Sequence, residues 1–296
     1  MSKKYGRLWY YIENNEAIIT GCDKTVTRVE IPKYIENKKV TKIGYSAFGG
    51  CSLTSIVIPN SVTSIDAGAF SGCRLLISII IPDSVTSIGT WAFSNCTSLK
   101  NITLPDTIVN IDYDAFINTD YYHNEPNWEN GVLYLSKYLI KAKNTIRGNY
   151  QVKPGTKIIA GNAFGKCKKL NNITIPESVI DIGSYAFDCC TALTNITIPN
   201  SVTNIGNNAF QYCELLKNIT ISESINNIDS YAFASCKSLK SITIPDSVIS
   251  VGDFVFFSCD SLKKIEGKFN TFPPKVDFLD LLEKLNKRYC SKIDNV

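Results

Sequence analysis

The sequence predicts an α/β solenoid: nine or ten rungs of 22–23 residues, a concave parallel β-sheet on one side, short helical or 3₁₀ turns on the convex side, and a cap at each end. Three observations carry this expectation. Phenylalanine recurs at Phe48, Phe70, Phe93, Phe116, Phe164, Phe187, Phe210, Phe233 and Phe256, in steps of 22 or 23 residues with one gap of 48, the mark of an internal repeat. A small residue precedes each of them, alanine everywhere except Val255, and cysteine follows three residues later at Cys51, Cys73, Cys96, Cys167, Cys190, Cys213, Cys236 and Cys259, with Thr119 as the one break in the column. Most rungs then pass through an alternation of apolar and polar residues that stops at proline, as in Ile102, Leu104 and Pro105.

Residues 81–103 read IPDSVTSIGTWAFSNCTSLKNIT and show how one rung is built. The alternation ending at Pro105 is a short strand with one buried face, because side chains alternate across a strand and proline removes a ladder donor. Ile88, Ala92, Cys96 and Leu99 fall at i, i+4, i+8 and i+11, the stripe of a helical segment short enough to be partly 3₁₀. Each rung is therefore strand, turn, second short extended piece and helical turn. A unit of this length cannot bury its apolar face alone, so neighbours must stack and share a core. Stacked strands sit ~4.8 Å apart and packed helical elements up to ~10 Å, which curls the strand side inward.

Taken in order, residues 1–27 form a capping β-hairpin around Asn14, Asn15 and Glu16, and residues 28–116 a first block of rungs. Residues 117–157 are an irregular insertion, read as one degenerate rung carrying a hairpin, and residues 158–266 a second block. Residues 267–296 hold a linker at Pro273 and Pro274 and then an amphipathic helix with Phe278, Leu281, Leu282, Leu285 and Tyr289 on one face and Asp277 as N-cap. That helix either folds over the last rung or pairs with a partner, including a second copy of the chain.

Composition narrows the function classes. The net charge of +4 is small and evenly spread, which argues against a nucleic-acid partner, and no apolar run approaches the ~20 residues of a membrane-inserted helix. His123 is the only histidine, so the commonest general base and zinc ligand is missing; no catalytic residues, no metal site and no cofactor are expected. Eleven cysteines suggest a disulfide framework at first, yet same-column residues on adjacent rungs stand about a strand spacing apart, wider than the ~3.8 Å between the Cβ atoms of a disulfide. The column reads as a set of buried thiols acting as small hydrophobes. Cys22, Cys189 and Cys290 lie outside it and are the places to look for a functional thiol.

The A-F-x-x-C core and the I-P-x-S-V-T-x-I return resemble the BspA-like, or Treponema-type, class of leucine-rich repeats over about residues 28 to 266. The resemblance implies a leucine-rich repeat right-handed superhelix. At the position of the asparagine of other leucine-rich repeats this chain has Ser61, Ser84, Thr107, Ser178, Ser201, Ser224 and Ser247, a hydroxyl ladder expected to bond the next rung's backbone. It further implies a non-enzymatic binding or adhesion module for a protein or glycan partner, at the cell surface or secreted. The first residues carry no export signal, so a cytoplasmic protein-interaction scaffold or assembly subunit stands as the alternative.

Outward positions on the strands give the candidate binding face. They are Val57 and Ile80 in the early rungs, then Lys100 and Thr103, then Asn172, Thr174, Asn195, Thr197, Lys217, Asn218, Thr220, Lys240, Thr243 and Lys263, a progression from apolar to polar and basic. The insertion adds Tyr121, Tyr122, Trp128, Tyr134 and Tyr138. Exposed Tyr and Trp suit ligand contact, and packing of the hairpin on the solenoid accounts for them equally well.

Overall fold

A computed structural model describes residues 2–267. The chain divides into two units, residues 1–140 and 141–296, and both are parallel coils built on the same three-sided rung. The predicted C-terminal helix, with Cys290, lies outside the described residues.

The first side of the rung is the strand that ends near proline. In unit 1, Arg28–Glu30 pairs with Ser55–Val57, and Ser78–Ile80 with Asn101–Thr103, all parallel and in register, so that Ile79 faces Ile102. In unit 2 the order is Arg147–Gln151, Lys169–Thr174, Asn195–Thr197 and Asn218–Thr220, with Ser241–Ile244 beside Lys264–Gly267. The second side is a ladder of two-residue strands, Ser64–Ile65, Ser87–Ile88 and Asn110–Ile111 in unit 1 and Ile158–Ile159, Asp181–Ile182, Asn204–Ile205, Asn227–Ile228 and Ser250–Val251 in unit 2. Longer hairpin strands, Glu16–Cys22 and Tyr138–Ala142, join the second ladders, and the described residues make about eleven turns in place of nine or ten.

The third side departs from expectation. Among the described residues the helix is limited to Asp120–His123 and one 3₁₀ turn, Glu125–Asn127; the A-F-x-x-C segments are turns. Two residues per rung explain it, those two before and two after the phenylalanine, which take positive φ: 54° at Trp91 and 57° at Asn95, 60° at Tyr185 and 57° at Cys189. A right-handed helix admits no such residue. Alternate N–H groups leave the rung altogether: those of Ser46, Phe48 and Gly50 bond to the carbonyls of Ala67, Ala69 and Ser71 at 3.0, 2.7 and 2.7 Å. The N–H groups between them close i→i−3 turns, as from Ala47 to Gly44 and Gly49 to Ser46. The helical stripe in the sequence is thus the spacing of consecutive turns, and the segment gains a third inter-rung ladder in place of helical hydrogen bonds.

Inside, the phenylalanines stack. Ring centroids lie 5.1, 5.1 and 5.3 Å apart from Phe48 to Phe116, and 5.3, 5.1, 5.4 and 5.9 Å apart from Phe164 to Phe256. The cysteine column is buried, as the sequence suggests, but the thiols also donate. Cys73 Sγ reaches the Phe48 carbonyl at 3.0 Å, Cys96 that of Phe70 at 3.1 Å, and Cys213 that of Phe187 at 3.3 Å. A residue as small as cysteine that also donates weakly satisfies a buried carbonyl where alanine cannot. The hydroxyl ladder forms from Ser84 onward, directed to the preceding rung and not the next: Ser84 Oγ donates to the Val62 carbonyl at 2.6 Å, Thr107 to Val85 at 3.0 Å and Ser247 to Ile225 at 2.8 Å. Ser61 Oγ is buried without a partner among the described residues.

Thr119, the break in the cysteine column, has its own reason. It is the N-cap of Asp120–His123, with Oγ1 accepting from the Tyr122 N–H at 3.0 Å, and it starts the insertion. Trp128–Glu129 and Val132–Leu135 then form a hairpin across Asn130 and Gly131, whose φ values of 51° and 80° suit a tight hairpin turn. At the N-terminus Lys3–Tyr5, Leu8–Glu13 and Glu16–Cys22 make an antiparallel meander, one strand more than the two extended runs of the sequence suggest.

Candidate functional site

The proline-terminated strands carry the candidate face. Their central isoleucines point inward and the residues on either side point out: Ile196 is buried between exposed Asn195 and Thr197, and Ile242 between exposed Ser241 and Thr243. Parallel pairing in register places Asn195 beside Asn218 and Thr197 beside Thr220, so identical side chains recur once per rung.

In unit 2 these side chains are tied together. Asn218 Nδ2 donates to Asn195 Oδ1 at 2.9 Å and Asn195 Nδ2 to Thr194 Oγ1 at 3.0 Å; the Thr194 hydroxyl proton is shared between Asn172 Oδ1 and the Asn171 carbonyl, both at 3.3 Å, and Asn172 Nδ2 donates to Asn149 Oδ1 at 3.0 Å. This relay crosses four rungs and fixes which end of each amide faces its neighbour. Beside it runs a groove lined by Asn172, Thr174, Glu177, Asn195, Thr197 and Pro199. Lys217, Lys240 and Lys263 stand exposed along the edge of the same strands, and at the last rung Lys264 pairs with Glu266 at 2.5 Å, holding the Glu266 carboxyl below its ordinary range.

Unit 1 presents different chemistry at the matching positions. Val57 and Ile80 are 58% and 71% exposed, an unusual burden for β-branched apolar residues on a strand, while Lys100 and Thr103 are exposed and polar.

The insertion aromatics separate into two groups. Tyr134 and Tyr138 are core residues, with Tyr138 fully buried, its hydroxyl donating to the Pro105 carbonyl at 2.5 Å and burial pushing its pKa up to about 12. Neither presents a surface to a ligand, because the hairpin that carries them is folded into the coil. Tyr121, Tyr122 and Trp128 are half-buried and hold one another: Tyr121 Oη donates to the Tyr134 carbonyl at 2.7 Å, Trp128 Nε1 to the Tyr122 carbonyl at 2.8 Å, and the Tyr122 and Trp128 rings meet edge to face at 5.3 Å.

Four residues of this face escape the sequence reading: Asn149, Gln151, Glu177 and Thr194. Gln151 lies opposite Thr174 and Asn149 opposite Asn172. Lys153 is the reason they are hidden, since it puts one extra residue between the strand and Pro154, and a bulge between Gly148 and Asn149 shifts the register again. The run R-G-N-Y-Q, with Asn and Gln two apart, is the signal that could have revealed them. Exposed aromatics on the turn side, Tyr45, Trp91, Tyr212 and Phe257, also go unpredicted, because they occupy variable positions around the phenylalanine column.

Among the described residues no group of three His, Cys, Asp or Glu side chains is arranged to hold a metal ion, and no helix is long and apolar enough to cross a membrane. The family model of the BspA type leucine rich repeat region (6 copies) matches residues 22–147 and 149–272. Among solved structures, the chain is similar to a leucine rich cell surface protein from Faecalibacterium prausnitzii, at 29% identity and TM-score 0.44 over 90% of this chain and 76% of that one. It is similar also to a leucine-rich repeat protein from Bacteroides ovatus, at 26% identity and TM-score 0.41 over 90% and 70%. A third, a leucine-rich repeat protein from Eubacterium ventriosum, is 22% identical with TM-score 0.46 over 88% and 83%. Comparison with functionally curated proteins gave no significant match.

Proposed function

The chain belongs to the BspA-type leucine-rich repeat family, and from that premise we propose that it is a non-enzymatic binding module that takes hold of a protein or glycan partner through the outward side of its proline-terminated strands. The observation that carries this reading is the side-chain relay from Asn218 to Asn149 with the groove beside it. Amides already fixed by one another lose little freedom when a ligand arrives, which lowers the entropic cost of binding. Their spacing of about one strand separation, ~4.8 Å, offers the same donor and acceptor once per rung, a pattern suited to an extended polar ligand with its own repeat. The groove carries one carboxylate, Glu177, among hydroxyls and amides in place of a paired acid and base at reacting distance, so the face favours contact over bond cleavage.

Cross-linking capture from the native environment, together with a glycan array, tests the face. The triple variant Thr174→Lys, Thr197→Lys and Thr220→Lys is compared with Thr203→Lys, which sits exposed outside those strands. Both variants should keep the wild-type circular dichroism spectrum. Loss of partner or glycan in the triple variant alone supports the proposal, and unchanged capture by it refutes the assignment of this face.

A further inference from the structure

At the start of the cysteine column the pattern changes. Each later thiol reaches a carbonyl of the rung before it, but Cys51 follows a rung that has no phenylalanine. In that place stands Cys22, the last residue of the capping strand Glu16–Cys22. The two sulfurs lie 2.6 Å apart, either able to donate to the other, against about 2.04 Å for a covalent S–S bond. Both residues are buried.

We propose that Cys22 and Cys51 form a reversible disulfide that locks the N-terminal cap onto the first rung. Their position fits such a lock, since Cys22 belongs to the cap and Cys51 to the first A-F-x-x-C turn, 29 residues apart. Although buried, Cys22 belongs to the wall of a groove with Trp9, Thr20 and Lys24, the side from which an oxidant would approach the pair. Reactivity follows from the contact, because the two thiols titrate as a pair: the hydrogen bond between them, and then the nearby Lys24 ammonium, ease loss of the first proton, while the second is held above its ordinary value. The first proton therefore leaves the pair more easily than that of an isolated buried thiol, and either sulfur can carry the charge.

With a small-molecule disulfide as oxidant the electrons balance. With the charge of the pair on Cys22, the residue in the groove wall, its thiolate attacks one sulfur of the oxidant and expels one small thiolate, giving a mixed disulfide on Cys22. Cys51 gives up the remaining proton to solvent, attacks the Cys22 sulfur and expels the second small thiolate. Two protein thiols are oxidised by two electrons and one disulfide is reduced to two thiols, the route of thiol–disulfide exchange.

The experiment uses the full chain, fully reduced and then equilibrated with oxidised glutathione, quenched with a maleimide in denaturant and mapped by mass spectrometry. Expected is the loss of two of the eleven thiols with recovery of a linked Cys22–Cys51 peptide. Closing a loop of this length should slow proteolytic nicking of the cap on the order of a hundredfold, and dithiothreitol should restore the faster rate. Cys51→Ala should stop at a glutathione adduct on Cys22, while Cys189→Ala should behave as wild type. The wild-type map needs no substitution, so the test survives if a variant fails to fold. Recovery of Cys22 and Cys51 both alkylated, or of either linked to another cysteine, overturns the proposal; so does a linked peptide without any change in nicking of the cap.

Discussion

Replacing Phe210 by alanine tests whether the stacked rings hold the rungs together. Phe210 is completely buried and lies between two partners, with ring centroids 5.1 Å to Phe187 and 5.4 Å to Phe233. Truncating a buried phenylalanine costs about 3–5 kcal/mol through lost transfer energy and the cavity left behind. Each stacked contact adds roughly 0.5–1.5 kcal/mol beyond area burial, which puts Phe210→Ala near the top of that range, about 5 kcal/mol. Among the described residues Phe256 has one ring neighbour in the column, Phe233, at 5.9 Å, so Phe256→Ala should cost about 3 kcal/mol. Phe210→Leu keeps most of the volume and loses both stacks, for roughly 1–3 kcal/mol. Amide hydrogen exchange with peptide resolution is the suitable assay, because a repeat array need not unfold in one step and exchange reports each rung. Phe210→Ala should speed exchange most in the rungs of Phe187, Phe210 and Phe233. A cost below about 2 kcal/mol, or equal costs at Phe210 and Phe256, would refute the idea that adjacent rungs are held by a shared ring column.

Gly206 approaches the preceding rung so closely that an added Cβ would sit 2.6 Å from the Ser184 amide nitrogen and 2.8 Å from the Gly183 carbonyl carbon; both are backbone atoms, so Gly206→Ala should lower stability by about 1–3 kcal/mol in urea denaturation. Deleting the whole rung 198–220 should leave a folded protein by circular dichroism, whereas deleting ten residues within it should not, since only the first keeps the columns in register. Burial raises the Asp229 pKa, which means that the folded state holds this proton more tightly than the unfolded chain and that Asp229's contribution to stability falls as pH rises through the carboxylate range. Asp229→Asn should therefore stabilise the protein at neutral pH by under about 1 kcal/mol, as the group is only half-buried, and the gain should vanish on acidification through that range; a gain that persists unchanged at low pH would contradict the burial argument.

Much of the architecture was legible in the residues because the solenoid is nearly one-dimensional: a column in the sequence is a column in space. The phenylalanine period gave the rungs, the break at Pro105 and its equivalents gave strand ends, and the cysteine column gave buried positions. The same logic located Asn172, Asn195 and Asn218 on one face. It failed at Asn149 and Gln151, where a single extra residue before Pro154 hides the register, and at Tyr134 and Tyr138 it left display and packing open, a choice made by the hairpin that buries both.

What the sequence alone determined is the repeat, its length and the residues that point inward, since hydrophobic periodicity records which side chains must leave water. What only the tertiary structure decided is where the hydrogen bonds go. Turn residues with positive φ send alternate N–H groups to the next rung, so a helical stripe becomes a stack of turns. Thiols that read as plain hydrophobes find the carbonyls of the preceding rung, and Cys51, which follows a rung with no phenylalanine, finds Cys22 instead. Such pairings join residues a full rung apart, and they depend on the rise and register between neighbouring rungs, which no single rung's sequence contains.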